Sequence, residues 1–188
     1  MAVRRAGETV AEIHLHSPEG FGHVIFNAIE DALAVANTRL EEIDCFAAAS
    51  GPGSFTGVRV GLSAVKGLAE ALGKPAAAIS NLRALSLFGH ASLRAVVLDA
   101  RRGEVYGAVY DAQTHMVVPE TVSTRAVWLA TLAPGSEVVS FEDGPCHLAS
   151  AVARCAEIDG PASWHDPAEL DANYVRRSDA ELFWKDPK

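Results

Sequence analysis

The chain has 188 residues, 49% of them hydrophobic and 21% charged, which is the composition of a globular protein with a buried core. Its net charge of −8, with 16 Lys and Arg against 24 Asp and Glu, argues against independent binding to nucleic acid or to an anionic membrane surface. Neither an apolar run of about 18 residues nor a signal peptide is recognisable. Three cysteines without a CxxC pair predict reduced thiols in the cytoplasm rather than a disulfide framework or a zinc site.

The first part of the chain predicts a hairpin followed by a helix. Residues Thr9 to His16 alternate between apolar and polar side chains, which is typical of a half-buried strand, and Met1–Arg5 is expected to be the other arm. Gly22 to Asn37 is predicted to be a helix with two apolar faces, and such a helix must be covered on two sides. One face holds Ile25, Ile29, Leu33 and Ala36, and the other holds Val24, Ala28, Ala32 and Val35.

A glycine-rich loop connects the next predicted strand and helix. The apolar run Ile43–Ser50 predicts a buried strand, and Gly51–Gly57 is the loop. The helix that follows extends to Leu72, because Gly73 suits the left-handed cap of a helix end. Small residues alone form one stripe of this helix: Gly57, Gly61, Ala64, Gly67 and Ala71.

The rest of the chain predicts strands that alternate with helices, and then a meander, which indicates an α/β fold of two lobes. The lobes are expected to be residues 1–90 and residues 91–188. Strands are predicted at Ala76–Ser80, Arg94–Asp99, Val105–Asp111, Met116–Thr121 and Ser136–Ser140, and helices at Asn81–Gly89 and from Gly144-Pro145 to Glu157.

The glycine-rich loop lies where phosphate-binding loops lie, between a strand and a helix. It lacks the lysine of a Walker loop, and Thr56 stands where a dinucleotide fingerprint needs glycine. Ser54 lacks the flanking glycines of a nucleophile elbow, so the simpler interpretation is that Ser54 or Thr56 caps the helix. Backbone amides could still hold an anion, and the candidate anion contacts are Gly51, Gly53, Ser54, Thr56, Arg101 and Arg102.

The small-residue stripe predicts the close approach of another helix, since small side chains let two backbones come together. The mid-helix glycines Gly61 and Gly67 together cost about 2 kcal/mol against alanine, so an offsetting contact is expected. That contact could be the first helix of the same chain, or a second pair of helices that completes a four-helix bundle. The predicted partner face consists of His23, Ile25, Ile29, Leu33, Gly57, Val58, Gly61, Leu62, Ala64, Val65 and Leu68.

Residues with catalytic or metal-binding potential are few. No HxxxH or HExxH pattern occurs among the 7 histidines, so no metal pair on a helix is predicted. His14 and His16 share a strand face, for which solvation is a simpler interpretation than chelation. Asp99 is the best candidate for acid–base chemistry, with capping of the turn that follows it as the structural alternative. The Arg176-Arg177 pair could bind an anion or an acidic partner.

Three motifs resemble those of one known family. They are Gly51–Leu62 with its continuation to Pro75, Asp99–Tyr106, and Asn173–Arg177, and the first is highly specific. On these motifs the sequence is similar, over nearly its whole length, to the TsaB (YeaZ) family. The resemblance implies the two-lobed fold of the actin, Hsp70 and sugar-kinase group (the ASKHA fold).

The resemblance also implies a non-catalytic subunit for making threonylcarbamoyladenosine beside the anticodon of tRNA. In that system the paralogue TsaD carries the metal and the transfer chemistry, TsaB pairs with it through its first two helices, and the ATPase TsaE joins them. Contact with tRNA is then expected only through the complex, and homodimers are expected for the isolated chain. ATP is used by the wider complex, whereas this chain is expected to bind no cofactor and no metal alone.

The sequence departs from the family pattern in one respect. The family opens with a strand of the kind Ile-Leu-Ala-Leu-Asp-Thr-Ser, and the first predicted strand here corresponds to the second strand of the family. Either the start codon is placed late or the strand is absent, and a missing strand would expose ladder edges and apolar surface. Two other functions stay open: a glycopeptidase-like hydrolase, which would need a metal, and a degenerate nucleotide-binding protein or kinase of the same fold.

Overall fold

The computed structural model describes residues 1–17, 20–141 and 147–175, and it opens with the predicted hairpin. Strands β1 (Ala2–Arg5) and β2 (Glu8–Glu12) are antiparallel and turn at Ala6 and Gly7, both of which have positive φ. The ladder ends where Met1 and Ile13 exchange backbone hydrogen bonds. The second strand therefore stops at Glu12 rather than at His16, because its partner strand does not reach further.

The next elements are two helices and a pair of parallel strands. Helix α1 (Ile25–Val35) is followed by β3 (Phe46–Gly51), α2 (Phe55–Leu72) and β4 (Ala76–Ser80), with β3 and β4 parallel. The Ser54 hydroxyl accepts a hydrogen bond from the Gly57 amide at 3.3 Å, which confirms the predicted cap of α2. Gly73 ends α2 with a φ of 62°, as predicted.

In the part of the chain that the structure describes, four strands form a second sheet, in the order β7-β6-β5-β8. These strands are β5 (Leu93–Arg101), β6 (Glu104–Asp111), β7 (Met116–Thr124) and β8 (Glu137–Ser140). Helix α3 (Asn81–Ser86) covers one face, where Leu82 and Leu85 pack with Val96 and Tyr110. Helix α4 (Arg125–Ala130), which the sequence pattern did not predict, buries Trp128 on the other face.

The last helix returns to the first strands. Helix α5 (Ala149–Asp159) packs against β1, β3 and β4, and Arg83 of α3 holds its end through two bonds of 2.6 Å to Asp159. Ala48 of β3 faces α2, whereas its two neighbours in the strand face α5, so helices cover both faces of β3. The predicted helix start at Gly144-Pro145 lies outside the described residues, and the lobe boundary near residue 90 stays a prediction.

Candidate docking surface and glycine-rich loop

Other parts of the same chain fill the glycine-rich loop. Gly51 has a φ of 107°, and a Cβ at this position would lie 3.0 Å from the carbonyl oxygen of Asn173. The amide of Asn173 donates to a carbonyl near the end of β3 at 2.7 Å. Asn81 Nδ2 donates to the Pro52 carbonyl at 2.9 Å and lies 3.1 Å from where a Cβ on Gly53 would stand. Both glycines therefore make room for asparagines of this chain, and anion binding by the loop stays a prediction.

An aromatic cluster, which the sequence pattern did not predict, covers the start of α2. The Arg59 Nε donates to the Tyr174 hydroxyl at 3.0 Å, and its guanidinium lies 3.8 Å from the centroid of the Phe55 ring. The two aromatic rings have their centroids 5.9 Å apart. Tyr174 belongs to the third motif, which only the family resemblance indicated, and the end of that motif at Arg176-Arg177 lies outside the described residues. Thr56, one of the candidate anion contacts, is exposed beside this cluster.

The two arginines predicted as anion contacts belong to the second sheet. Arg101 and Arg102 form the turn between β5 and β6, with φ values of 67° and 59°, whereas the glycine-rich loop follows β3 in the first pair of strands. The carboxylate of Asp99 accepts a hydrogen bond from the Arg101 amide at 2.8 Å. This bond confirms the structural interpretation of Asp99 as a cap of the turn.

Most of the predicted partner face borders a cavity between α1 and α2. The exceptions are His23, which is exposed outside it, and Leu62, which is buried in the core beneath α2. A Cβ on Gly61 or Gly67 would meet no heavy atom within 4 Å, so the small-residue stripe is not packed against α1 at these positions. The predicted residues that border the cavity are Ile25, Ile29, Leu33, Gly57, Val58, Gly61, Ala64, Val65 and Leu68. Binding of a partner to them stays a prediction.

The cavity has a volume of about 870 Å³ and walls of three kinds. The edges of β1 and β3 border it, α1 and α2 contribute apolar side chains, and α5 contributes Val152 and Ala153. Two arginines on its boundary have partners within the chain: Arg4 Nε contacts the Glu157 carboxylate at 2.9 Å, and Arg5 donates to Thr38. The side chains that α1, α2 and α5 contribute to the cavity are mostly apolar, whereas the strand edges contribute backbone groups.

A polar cluster around the carboxylate of Glu120 lies between the two sheets, and the sequence pattern did not predict it. Glu120 of β7 accepts hydrogen bonds from the Ser80 hydroxyl, from the Tyr110 hydroxyl at 2.8 Å and from Asn173 Nδ2 at 2.6 Å. Burial and the nearby carboxylate raise the pKa of Tyr110 far above its usual value, so its hydroxyl stays a donor. The cluster joins β4, the second sheet and the segment that covers the glycine-rich loop.

The described residues offer few groups for acid–base or metal chemistry. Burial raises the pKa of Cys45 and of Cys155 to about 11, so both thiols stay protonated at neutral pH. His14 and His16 lie beyond β2, so the predicted shared strand face is wrong, and His14 instead stacks on His147 with the ring centroids 3.3 Å apart. Within residues 1–17, 20–141 and 147–175, no cluster of three His, Cys, Asp or Glu could hold a metal ion, and no helix could span a membrane.

Comparison with known proteins identifies the family to which this chain is similar. Residues 19–155 match the family model described as TsaD, tRNA N6-adenosine threonylcarbamoyltransferase. The tRNA threonylcarbamoyladenosine biosynthesis protein TsaB of Bacillus subtilis is 27% identical, over 98% of this chain and 92% of that protein. An uncharacterized protein of Mycobacterium tuberculosis is 32% identical, over 80% of this chain and 72% of its own length.

Solved structures confirm the predicted ASKHA fold. YeaZ from Pseudomonas aeruginosa matches with a TM-score of 0.64 and 22% identity, over 82% of this chain and 84% of that one. A second Pseudomonas aeruginosa protein, described as similar to peptidase YeaZ, matches with a TM-score of 0.69 and 23% identity, over 85% and 86% of the two chains. The chain belongs to the family of that model, and within it to the TsaB (YeaZ) group.

Proposed function

We propose that this chain is an accessory, non-catalytic subunit in the formation of threonylcarbamoyladenosine on tRNA, and that it acts by pairing with a TsaD-like paralogue. Its family supports the reaction, since the TsaB of Bacillus subtilis, which is named for threonylcarbamoyladenosine biosynthesis, matches nearly the whole chain. The matching family model is that of the transferase itself, which supports pairing between two related folds.

The observation that carries the pairing is the surface formed by α1 and α2. Val35 of α1 and Phe55 of α2 are 63% and 51% exposed, and a Cβ on Gly61 of α2 would meet no heavy atom within 4 Å. Further out, Phe26 of α1 is 54% exposed. Apolar side chains left accessible on two neighbouring helices are typical of a surface that another pair of helices covers, as in a four-helix bundle. The same surface would join two copies when the isolated chain forms homodimers.

Catalysis is assigned to the partner. Asn81 and Asn173 of this chain fill the glycine-rich loop, and the pKa of about 11 keeps the Cys45 and Cys155 thiols protonated. This chain alone is therefore expected to bind neither ATP nor metal, and ATP would be used by a TsaE-like ATPase in the wider cytoplasmic complex. With a net charge of −8, the chain would reach tRNA only through that complex.

Co-purification with the TsaD-like paralogue of the same organism tests the pairing. Phe26→Glu should weaken the complex about ten-fold or more, because a buried unpaired carboxylate costs more than about 1.4 kcal/mol. Gly61→Leu should weaken it by adding bulk at the helix contact. The matched control is Ala130→Glu, on the exposed side of α4, which should bind like the wild type. Normal binding by both test variants would rule out this surface.

Calorimetry tests the assignment of ATP to the partner. Titration of the isolated chain with ATP and magnesium should give no heat of binding, whereas the assembled complex with the TsaE-like ATPase should. Stoichiometric ATP binding by the isolated chain would favour the degenerate kinase interpretation instead.

A further inference from the structure

The segment that covers the glycine-rich loop, residues 165–175, is held by different contacts at its two ends. At its beginning, the backbone of His165 exchanges two hydrogen bonds of 2.9 Å with the first residue of β4. Leu170, which is 4% exposed, then packs into the core beneath α2. The other end, which we call the tip, consists of Asn173 and of Tyr174, which is 49% exposed. The tip is therefore held mainly by hydrogen bonds rather than by burial.

One carboxylate of the second sheet holds the tip. Glu120 of β7 accepts a hydrogen bond from Asn173 Nδ2 at 2.6 Å. Its other carboxylate oxygen accepts hydrogen bonds from the hydroxyls of Ser80 and Tyr110, which belong to β4 and β6. All three donors are neutral, and a hydrogen bond to a charged acceptor is about twice as strong as one between neutral groups. The two strands therefore fix the carboxylate, and the carboxylate fixes the Asn173 side chain.

The tip also contacts the start of α2. Tyr174 follows Asn173 in the chain, and its hydroxyl accepts a hydrogen bond from Arg59 Nε at 3.0 Å. The Arg59 guanidinium lies 3.8 Å from the centroid of the Phe55 ring. Phe55 is one of the exposed apolar side chains in the surface proposed for docking. The contacts that begin at Glu120 therefore continue through the tip to that surface.

We infer that Glu120 is a positioning residue for docking on α1 and α2, and that it acts by holding the tip over the start of α2. This inference rests on the proposed function, since it concerns the same surface. With the tip in place, Tyr174 and Arg59 fix the Phe55 ring in the arrangement that the partner meets. When the tip is released, the first turns of α2 lose this support. The apparent affinity for the partner then falls in proportion to the fraction of chains in which the tip is in place.

Moving the charge from one side chain to the other tests this contact. Asn173→Asp places a second carboxylate beside Glu120, and two like charges at this distance repel each other. Glu120→Gln removes the charge and weakens the bond to Asn173. The double variant Glu120→Gln/Asn173→Asp reverses the direction of the hydrogen bond, because the Gln amide can donate to the Asp carboxylate. Recovery in the double variant is a result that a merely structural role of Glu120 does not predict.

Hydrogen exchange of the isolated chain, followed by NMR, measures the release of the tip. The backbone amide of residue 173 donates to the Ser50 carbonyl at 2.7 Å. Corrected for intrinsic rates, it should exchange about ten-fold faster or more in Asn173→Asp and at nearly the wild-type rate in the double variant. The His165 amide should be unchanged, because its bond to β4 does not involve Glu120. An unchanged rate at residue 173, or an equal increase at His165, would overturn the inference.

The affinity for the TsaD-like paralogue of the same organism is the second readout. Asn173→Asp should weaken it about ten-fold or more and Glu120→Gln about three-fold, whereas the double variant should bind within about two-fold of the wild type. The matched control is Glu137→Gln, which removes a carboxylate that bonds to other amides of the second sheet. Normal binding by Asn173→Asp despite fast exchange at residue 173 would overturn this inference and leave the proposed function intact. Absence of binding by the wild type would instead overturn the proposed function.

Discussion

The two groups of strands in this protein bury their apolar side chains in different ways. The second sheet is one continuous ladder of four strands, with Leu82, Val96 and Tyr110 packed on one face and Trp128 on the other. The first group, within the described residues, consists of two ladders of two strands, separated by a cavity of about 870 Å³. Both groups have helices on two faces. The difference shows that covering by helices alone does not make a tightly packed sheet, because the strands must also pair laterally.

Side-chain size adds to this difference. β3 reads Phe-Ala-Ala-Ala-Ser-Gly and β4 reads Ala-Ala-Ala-Ile-Ser, whereas β5 and β6 bury four valines and Tyr110 among smaller residues. An alanine removes much less apolar area from water than a valine or an aromatic residue, at about 25 cal/mol for each Å². We therefore expect the second sheet to contribute most of the free energy of unfolding. The first group of strands should unfold locally at a lower cost in free energy.

The largest effect is expected from truncating a large side chain in each region. Trp128→Ala should lower the free energy of unfolding by about 3–5 kcal/mol, because Trp128 is 3% exposed in the packed second sheet. Ile29→Ala should cost about 1 kcal/mol or less, because Ile29 is half-buried and already borders a cavity.

Urea unfolding followed by far-ultraviolet circular dichroism measures both values. The comparison fails if Ile29→Ala costs as much as Trp128→Ala, since that would mean that α1 is packed as tightly as α4.

A second pair of substitutions adds a methyl group instead of removing a side chain. A Cβ at Gly107 of β6 would lie 2.5 Å from Cε2 of Trp128, so Gly107→Ala should destabilise the protein by about 1–3 kcal/mol. A Cβ at Gly61 of α2 would meet no heavy atom within 4 Å, so Gly61→Ala should stabilise it by up to about 1 kcal/mol through helix propensity.

The two substitutions are expected to change the stability in opposite directions, and thermal unfolding of both variants measures these changes. In a Trp128→Ala background, Gly107→Ala should lose most of its cost, because the atoms that it meets are gone. A loss of stability from Gly61→Ala would show that α2 meets another helix at this position in solution, for example in a homodimer.

The sequence indicated the local features of this fold much better than the long-range ones. The hairpin turn at Ala6 and Gly7, the Ser54 cap and the left-handed Gly73 were all predictable, because each depends on residues a few positions apart. The return of α5 to the first strands was not, since packing between distant segments leaves no periodic signal. Neither was the short helix α4, whose six residues are too few to show a helical pattern.

The candidate site shows the same limit. The loop and the two helices α1 and α2 were predicted from the sequence, and the residues of the predicted partner face follow from their spacing along each helix. Spacing gives the face of a helix but not what lies in front of it, so the cavity could not be foreseen. The Asn173 contact with Gly51 and the Glu120 cluster each join residues far apart in the chain, and only tertiary structure brings them together.

The smallest predicted effect concerns the link between the hairpin and α5, which spans the loosely packed region. The Arg4 guanidinium and then the Gly7 amide hydrogen-bond to the Glu157 carboxylate and hold its pKa below the ordinary 4.5. The pKa of Glu157 is lower in the folded state than in the unfolded state. These hydrogen bonds therefore contribute their full stability above the unfolded pKa, and this contribution is lost as the pH falls through the folded pKa. Glu157→Gln should therefore cost less than about 1 kcal/mol at pH 7, because the pair is partly exposed, and progressively less below pH 4.5.

Glu137→Gln is the corresponding change in the second sheet, where the Ala91 amide and then that of His90 hold the pKa of Glu137 low. Its cost should fade over the same acid range, so global unfolding alone does not distinguish the two regions. Hydrogen exchange does, since Glu157→Gln should speed the exchange of the hairpin amides, while Glu137→Gln should leave them unchanged. Faster exchange of the hairpin in both variants would mean that the two regions open together, and that the cavity does not divide the protein into a loose and a tight part.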